Sequence, residues 1–218
     1  LVAAAGAAVY LAWTTGEDPS ADIHVAASRD GGRTFAAPAI VARTPGYSDA
    51  PKLALDRHGT LHLAFTESSS GPFDPADVHY TRSRDGGARF DPPRAISRPR
   101  PRGHASAAFP ALSVDERGAV IVLWEAFPSH REPPHGLAIV TSTDGGQTFS
   151  APTLVPGSAD PGGGRNGSFQ GRLMRKLAVR DDAIAIVNSS LAHGEGSRVW
   201  LVRGRARTAA APSAPTRR

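Results

Sequence analysis

With 218 residues, 40% of them hydrophobic, the chain is long enough to bury a sizeable core, and its lack of cysteine excludes disulfides and thiolate metal sites. The net charge of +5 does not mark a nucleic-acid binder: Arg203, Arg205, Arg207, Arg217 and Arg218 crowd an acid-free, Ala- and Pro-rich end, and the remaining body carries 20 basic and 20 acidic residues. No apolar run approaches the roughly 20 residues of a membrane-spanning helix.

The opening LVAAAGAAVYLAWTT (1–15) reads as two short strands. As the apolar part of a signal peptide it would need a basic segment before it and an initiator Met; the missing Met points to a piece of a longer polypeptide. A third strand, DIHVAAS (22–28), runs into the octamer SRDGGRTF (28–35), and APAIVAR (37–43) follows as a fourth strand. Next comes LALDRHGTLHLAFTE (53–67), two alternating apolar runs joined at Asp56 to Gly59, then DVHYTRS (77–83), the octamer SRDGGARF (83–90) and PRAIS (93–97). The order repeats in LSVDERGAVIVLWEA (112–126), turning at Asp115 to Gly118, GLAIVTS (136–142), STDGGQTF (142–149) and APTLVPG (151–157). A last copy has LAVRDDAIAIVNSS (177–190) and SRVWLVR (197–203) but no octamer. Gly at the end of each Asp-x-x-Gly turn supplies the positive φ that closes a short hairpin.

The octamers begin at 28, 83 and 142, so successive copies lie 55 and 59 residues apart. Four short antiparallel strands per unit, with the same turn at the same place in each, predict an all-β fold: a β-propeller of four-stranded blades. The expected blades are 1–43, 50–97, 108–157 and an incomplete 172–203, with a disordered tail over 204–218. An open arc of blades would expose apolar faces, which predicts missing blades from a longer chain or a covering partner. Trp13, Phe65 and Trp124 recur at one blade position and are expected in the core, as is Trp200.

Within each octamer the Asp (Asp30, Asp85, Asp144) can accept hydrogen bonds from the amides of its own turn and from the hydroxyl of Ser28, Ser83 or Ser142. Gly32, Gly87 and Gly146 permit the turn, and Phe35, Phe90 and Phe149 are expected to return the chain to the core. A carboxylate satisfied locally has little left for a substrate, so the octamer reads as a scaffold turn. The pattern Ser/Thr-x-Asp-x-Gly-x-x-Phe/Trp, in register three times over residues 1–203, resembles the Asp-box, or BNR, repeat of the sialidase-like propellers. The resemblance implies an exported protein, boxes on the face away from the active site, and action on or binding of glycans, with exo-alpha-sialidase chemistry at the sharpest. The alternative is a non-catalytic propeller serving as a glycan- or protein-binding scaffold.

Strand order puts the long loops on the face opposite the octamers, including 44–50, 67–76, 98–107, 125–135 and 157–171. A sialidase clamps an anionic sugar with arginines and uses an Asp acid and a Tyr activated by a Glu. Tyr47, Asp49, Glu67 and Glu125 are the candidate catalytic residues, with Glu67 and Glu125 at nearly equivalent ends of second strands; Arg102, Arg131, Arg165 and Arg172 are the candidate substrate clamps. The family's Phe/Tyr-Arg-Ile-Pro segment is absent, so no catalytic residue transfers by motif. The loop histidines His104, His130, His135 and His193 lack metal-ligand spacing, GGGRNG (162–167) lacks the Lys-Ser/Thr of a phosphate loop, and no metal or other cofactor is expected.

Overall fold

The computed structural model describes residues 2–17, 19–41, 43–71, 74–160, 165–166, 176–191 and 197–205, and every regular element among them is a strand. β1 (Val2–Ala5), β2 (Ala8–Glu17), β3 (Ser20–Ser28) and β4 (Ala39–Ile40) form the first blade; β5 (Tyr47–Leu55), β6 (Leu61–Ser68), β7 (Ala76–Ser83) and β8 (Arg94–Ala95) form the second. β9 (Ser106–Val114), β10 (Val120–Phe127), β11 (Leu137–Ser142) and β12 (Thr153–Leu154) form the third. Then β13 (Arg165–Asn166) and β14 (Leu177–Arg180) share one edge of β15 (Ala183–Leu191), whose other edge carries β16 (Ser197–Arg205). Pairing within each blade is antiparallel, and first strands pack on first strands, β1 on β5, β5 on β9 and β9 on β14, so that they line the axis of a β-propeller.

Side-chain alternation explains the core. Successive residues of a strand face opposite sides of its sheet, so each blade offers one apolar row backwards and another forwards. Tyr10, Ala12, Ile23 and Val25 of the first blade meet Leu53, Leu61, Leu63 and Phe65 of the second. Ala64, Val78 and Tyr80 meet Val120, Val122, Trp124 and Val140, and then Ile121, Leu123 and Leu137 meet Ile184 and Ile186. Each such fully buried large side chain contributes about 1.5–3 kcal/mol over its exposed state. No hydrophobic cluster among the described residues joins the last blade to the first, and Val2, Val199 and Leu201 stand 54%, 67% and 48% exposed on the two end blades.

Several expectations need correction. The fourth strands shrink to two residues each because Pro38, Pro93 and Pro152, standing just before them, have no N–H to give; single bonds from Val41 to Ile23, Ile96 to Val78 and Val155 to Leu137 carry the pairing on. The first strands are longer than expected: β5 starts at Tyr47 and β9 at Ser106, within stretches read as loops. A bulge hides the continuity, with Ala50 (φ 52°) before Pro51 and Phe109 (φ 55°) before Pro110 breaking the alternation at the same place in both blades. β13 lies inside the stretch 157–171, also read as a loop, and β16 runs two residues into the stretch expected to be tail. Residues 206–218 lie outside the described residues.

Phe65 and Trp124 are buried as expected, but Trp13 is half-buried, stacked on His24 at 5.8 Å between ring centres. Trp200 is also half-buried, donating its indole N–H to the Gly157 carbonyl at 3.0 Å. Phe90 and Phe149 pack against the clusters, whereas Phe35 is 40% exposed because no blade among the described residues precedes the first to receive it.

The octamers are self-contained turns. The Asp30 carboxylate accepts from the Ser28 hydroxyl (2.7 Å), the amides of Arg33 and Thr34 (2.9 Å each) and the Thr34 hydroxyl (2.6 Å); Asp85 accepts from Ser83 (2.8 Å) and the Arg89 amide (2.9 Å). Asp144 repeats the pattern with Ser142, Gln147 and Thr148. Ser28, Ser83 and Ser142 in turn accept from Gly32, Gly87 and Gly146. The turns also space the blades. Gly87 lies over the Tyr10 ring, Gly146 sits against Tyr80, and Arg82 and Arg94 of the second blade donate to the carbonyls of Gly145, Gly146 and Gln147 in the third.

These bonds set an acid dependence. Hydrogen bonds from Thr34 and Ser28 hold the Asp30 carboxyl well below the usual range; at Asp144, desolvation opposes but the bonds from Thr148 and Ser142 prevail and lower it to about 2. A carboxyl depressed in the folded state stabilises above its unfolded value near 3.8 and loses that contribution as pH falls toward 2. Asp144→Asn is therefore expected to lower stability at pH 7 and to flatten the acid limb between pH 4 and 2, read by urea titration at successive pH values.

Candidate axial site

The octamers and the Asp-x-x-Gly turns share one face of the propeller, since Val120 after the third-blade hairpin pairs with Ser142 before its octamer. In each hairpin the Asp also accepts from the amides that close it, Asp56 from His58 and Thr60 (2.8 Å each) and Asp115 from Arg117 (2.9 Å) and Ala119 (2.7 Å). The Asp carboxylates of the octamers and of these two hairpins are thus satisfied within their own turns. The other candidates lie on the opposite half of the strands.

Tyr47 and Asp49 stand on β5, at the axis, and are half-buried. The Asp49 carboxylate accepts from the Thr14 hydroxyl at 3.1 Å, across the seam between the first and second blades. Three residues on, past the bulge, comes Lys52, also half-buried and facing the third-blade side beside Ala64. Desolvation lowers the Lys52 ammonium's pKa and repulsion from Lys176 adds to this, with Asp49 opposing. Lys176, 3% exposed, leads into β14 and gives its ammonium to Glu125 on β10 at 2.6 Å, a carboxylate that is 1% exposed.

The sequence alone did not single out Lys52 and Lys176. Its signal was nonetheless available: these are the only lysines in the chain, and each opens a Lys-Leu-Ala run, 52–54 within β5 and 176–178 at the start of β14. The third blade has Ala111 at that position, where Leu123 pairs with it.

The predicted site residues are only partly brought together. Glu67 and Glu125 are not equivalent: Asp49 pairs with Thr66 as Ala108 pairs with Glu125, so Glu67 sits one residue further along and faces the first blade while Glu125 faces the last. Glu67 accepts from the Ser48 hydroxyl, and no hydrogen bond joins Tyr47 to a carboxylate among the described residues. Arg98 (2.7 Å) and Arg100 (2.8 Å) are tied to Asp77, which also accepts from Ser97, so these arginines neutralise a carboxylate of their own blade. Arg102 and Arg131 are exposed on loops, Arg131 lying against the ring of His130 at 3.2 Å. Of Arg165 only the strand position is described, and Arg172 lies outside the described residues.

A groove of about 560 Å³ opens elsewhere, between the first two octamers, lined by Val25, Ala27, Arg29, Thr34, Ala39 and Gly87. Arg29 is the one titratable side chain among the described residues that lines it, and neither Lys176 nor Glu125 does. Among the described residues no three His, Asp or Glu side chains gather to hold a metal ion, and no helix is long and apolar enough to cross a membrane.

No protein-family model matches the sequence, and no curated protein matches it. Solved structures do share the fold. The chain is similar to the Hadza microbial sialidase Hz136, with a TM-score of 0.60 and 14% identity over 93% of this chain and 43% of that one. It is similar to a family 117 glycoside hydrolase of Zobellia galactanivorans, with a TM-score of 0.59 and 12% identity over 93% of this chain and 64% of the other. An endo-arabinase from Bacteroides thetaiotaomicron aligns with a TM-score of 0.55 and 12% identity over 94% of this chain and 74% of the enzyme. This chain spans less than half the length of the sialidase, and the shared fold is all-β propeller architecture.

Proposed function

We propose that this chain is part of an Asp-box propeller that acts on glycans, as a glycoside hydrolase of the exo-alpha-sialidase type, with its site at the axis on the side away from the boxes. The observation that carries the reading is the gathering of Thr14, Asp49, Lys52, Glu125 and Lys176 on and beside the first strands, where side chains of four blades surround a half-buried carboxylate and a half-buried ammonium. Asp49 is the carboxylate best placed to exchange a proton with a sugar oxygen, because Glu125 is committed to Lys176 and Glu67 to Ser48. Structural neighbours that are themselves glycan-acting enzymes support the same reading. An exported location belongs to it, as does completion of the ring by further blades against the exposed Val199 and Leu201.

The test is turnover by the full-length protein of aryl sialosides and of arabino-oligosaccharides. Asp49→Asn is expected to lower the rate by about 10²–10⁴-fold, the range for loss of a general acid or base, at unchanged thermal stability. Activity undiminished in Asp49→Asn would remove Asp49 from the chemistry.

A second reading, a non-catalytic glycan- or protein-binding scaffold, is favoured by one observation: the four residues first expected to be catalytic do not form a Tyr–Glu pair. Glycan binding without turnover of any of these substrates would establish it over the first.

A further inference from the structure

We propose that Lys52 is the anion-holding group of the axial site, receiving a carboxylate or sulfate carried by a glycan. The inference rests on the glycan reading above and adds to it a residue and a ligand charge. Lys52 in β5 and Lys176, just before β14, stand at corresponding places in two blades, yet they are in different states. Lys176 is fully buried and neutralised by Glu125 at 2.6 Å. Lys52 is half-buried, and among the described residues no carboxylate lies within ion-pair distance of it.

The nearby Asp49 carboxylate is bonded to Thr14, across the opposite seam. Partial burial removes water from the Lys52 ammonium without supplying an acceptor, and Lys176 adds repulsion. Such a group gains most from an anion that arrives with its own charge. The place is also open to one, since Lys52 keeps some exposure at the bulge of β5, where Pro51 has no N–H to compete for the acceptor. Of the arginines expected to clamp an anion, Arg102 and Arg131 are exposed on outer loops, and the neighbouring Arg98 and Arg100 are tied to Asp77.

Calorimetric titration of the full-length protein with glucuronic acid, N-acetylneuraminic acid, glucose 6-sulfate and glucose tests the assignment. At least one anionic sugar is expected to bind more tightly than glucose, and to weaken as salt is raised. Its Kd should rise about tenfold in Lys52→Met and stay near wild type in Lys52→Arg, the scale of one charge-assisted hydrogen bond. The carboxylate and sulfate arms show which anion is preferred. Reductive methylation of the unmodified protein, followed by mass spectrometry of the peptide containing Lys52, gives an answer that does not depend on a variant folding: the bound anionic sugar should slow modification there. Anionic sugars binding no better than glucose, Lys52→Met binding them unchanged, or no protection of Lys52 would each overturn the inference. Binding of a neutral arabino-oligosaccharide without preference for an anionic sugar would overturn it while leaving the glycan reading standing, whereas no binding of any oligosaccharide would count against both.

Discussion

Replacing Glu125 by Ala is expected to destabilise the protein by about 3–5 kcal/mol, because it strands the Lys176 ammonium in a site with almost no exposure to water. The reciprocal Lys176→Met should cost a similar amount by stranding the carboxylate. Neither figure measures what the pair itself contributes. Desolvating both charges offsets much of their attraction, so the double variant Glu125→Leu/Lys176→Met should recover at least half of the loss of either single change. Urea unfolding of the four proteins checks this, and additive single effects would mean that the pair does not act as a unit. The pair spans the third and last blades, so its loss should also loosen the last blade first, visible as earlier amide exchange in β14 to β16 than in β6 or β10.

The second large effect is expected at Gly146. A Cβ there would stand 2.6 Å from Cζ of Tyr80 and nearer still to its hydroxyl, and the backbone φ of +81° disfavours any L side chain. Tyr80 cannot yield readily: it is buried, its hydroxyl lies 2.7 Å from Nδ1 of His62, its ring meets Phe149 edge-on at 4.8 Å, and Arg94 covers it. Gly146→Ala should therefore cost about 3–5 kcal/mol, the sum of overpacking and left-handed backbone strain. Gly31→Ala has a similar φ of +77° but nothing within 4 Å of the added carbon, so only the backbone strain of about 1–2 kcal/mol should appear. Thermal melts of the two variants separate the blade contact from the turn. Equal losses would show that the octamer's role is confined to its own loop.

These two predictions draw on different kinds of information. The octamer, its hydrogen-bonding logic and its place between third and fourth strands were legible in the sequence, because a turn of eight residues satisfies its own polar groups locally. That Gly146 meets Tyr80 was not, since the two are 66 positions apart and come together only when one blade is laid on the next. The candidate site shows the same division. Asp49 and Glu125 could be named from loop position and residue type, but the loops assigned to 44–50 and 98–107 conceal first strands, since Ala50-Pro51 and Phe109-Pro110 interrupt the two-residue period that marks a strand.

By itself the sequence determined the class of fold, the four-strand unit, the hairpins at Asp56 and Asp115, and the scaffold nature of the octamers. Periodic apolar residues and turn glycines act over a few residues and so can be read in order along the chain. Tertiary structure decided which charges are spent and which remain available. The convergence of first strands at the axis sets Lys176 against Glu125 and leaves Lys52 without an acceptor in reach among the described residues. That convergence depends on how neighbouring blades pack, a long-range property that no local pattern encodes.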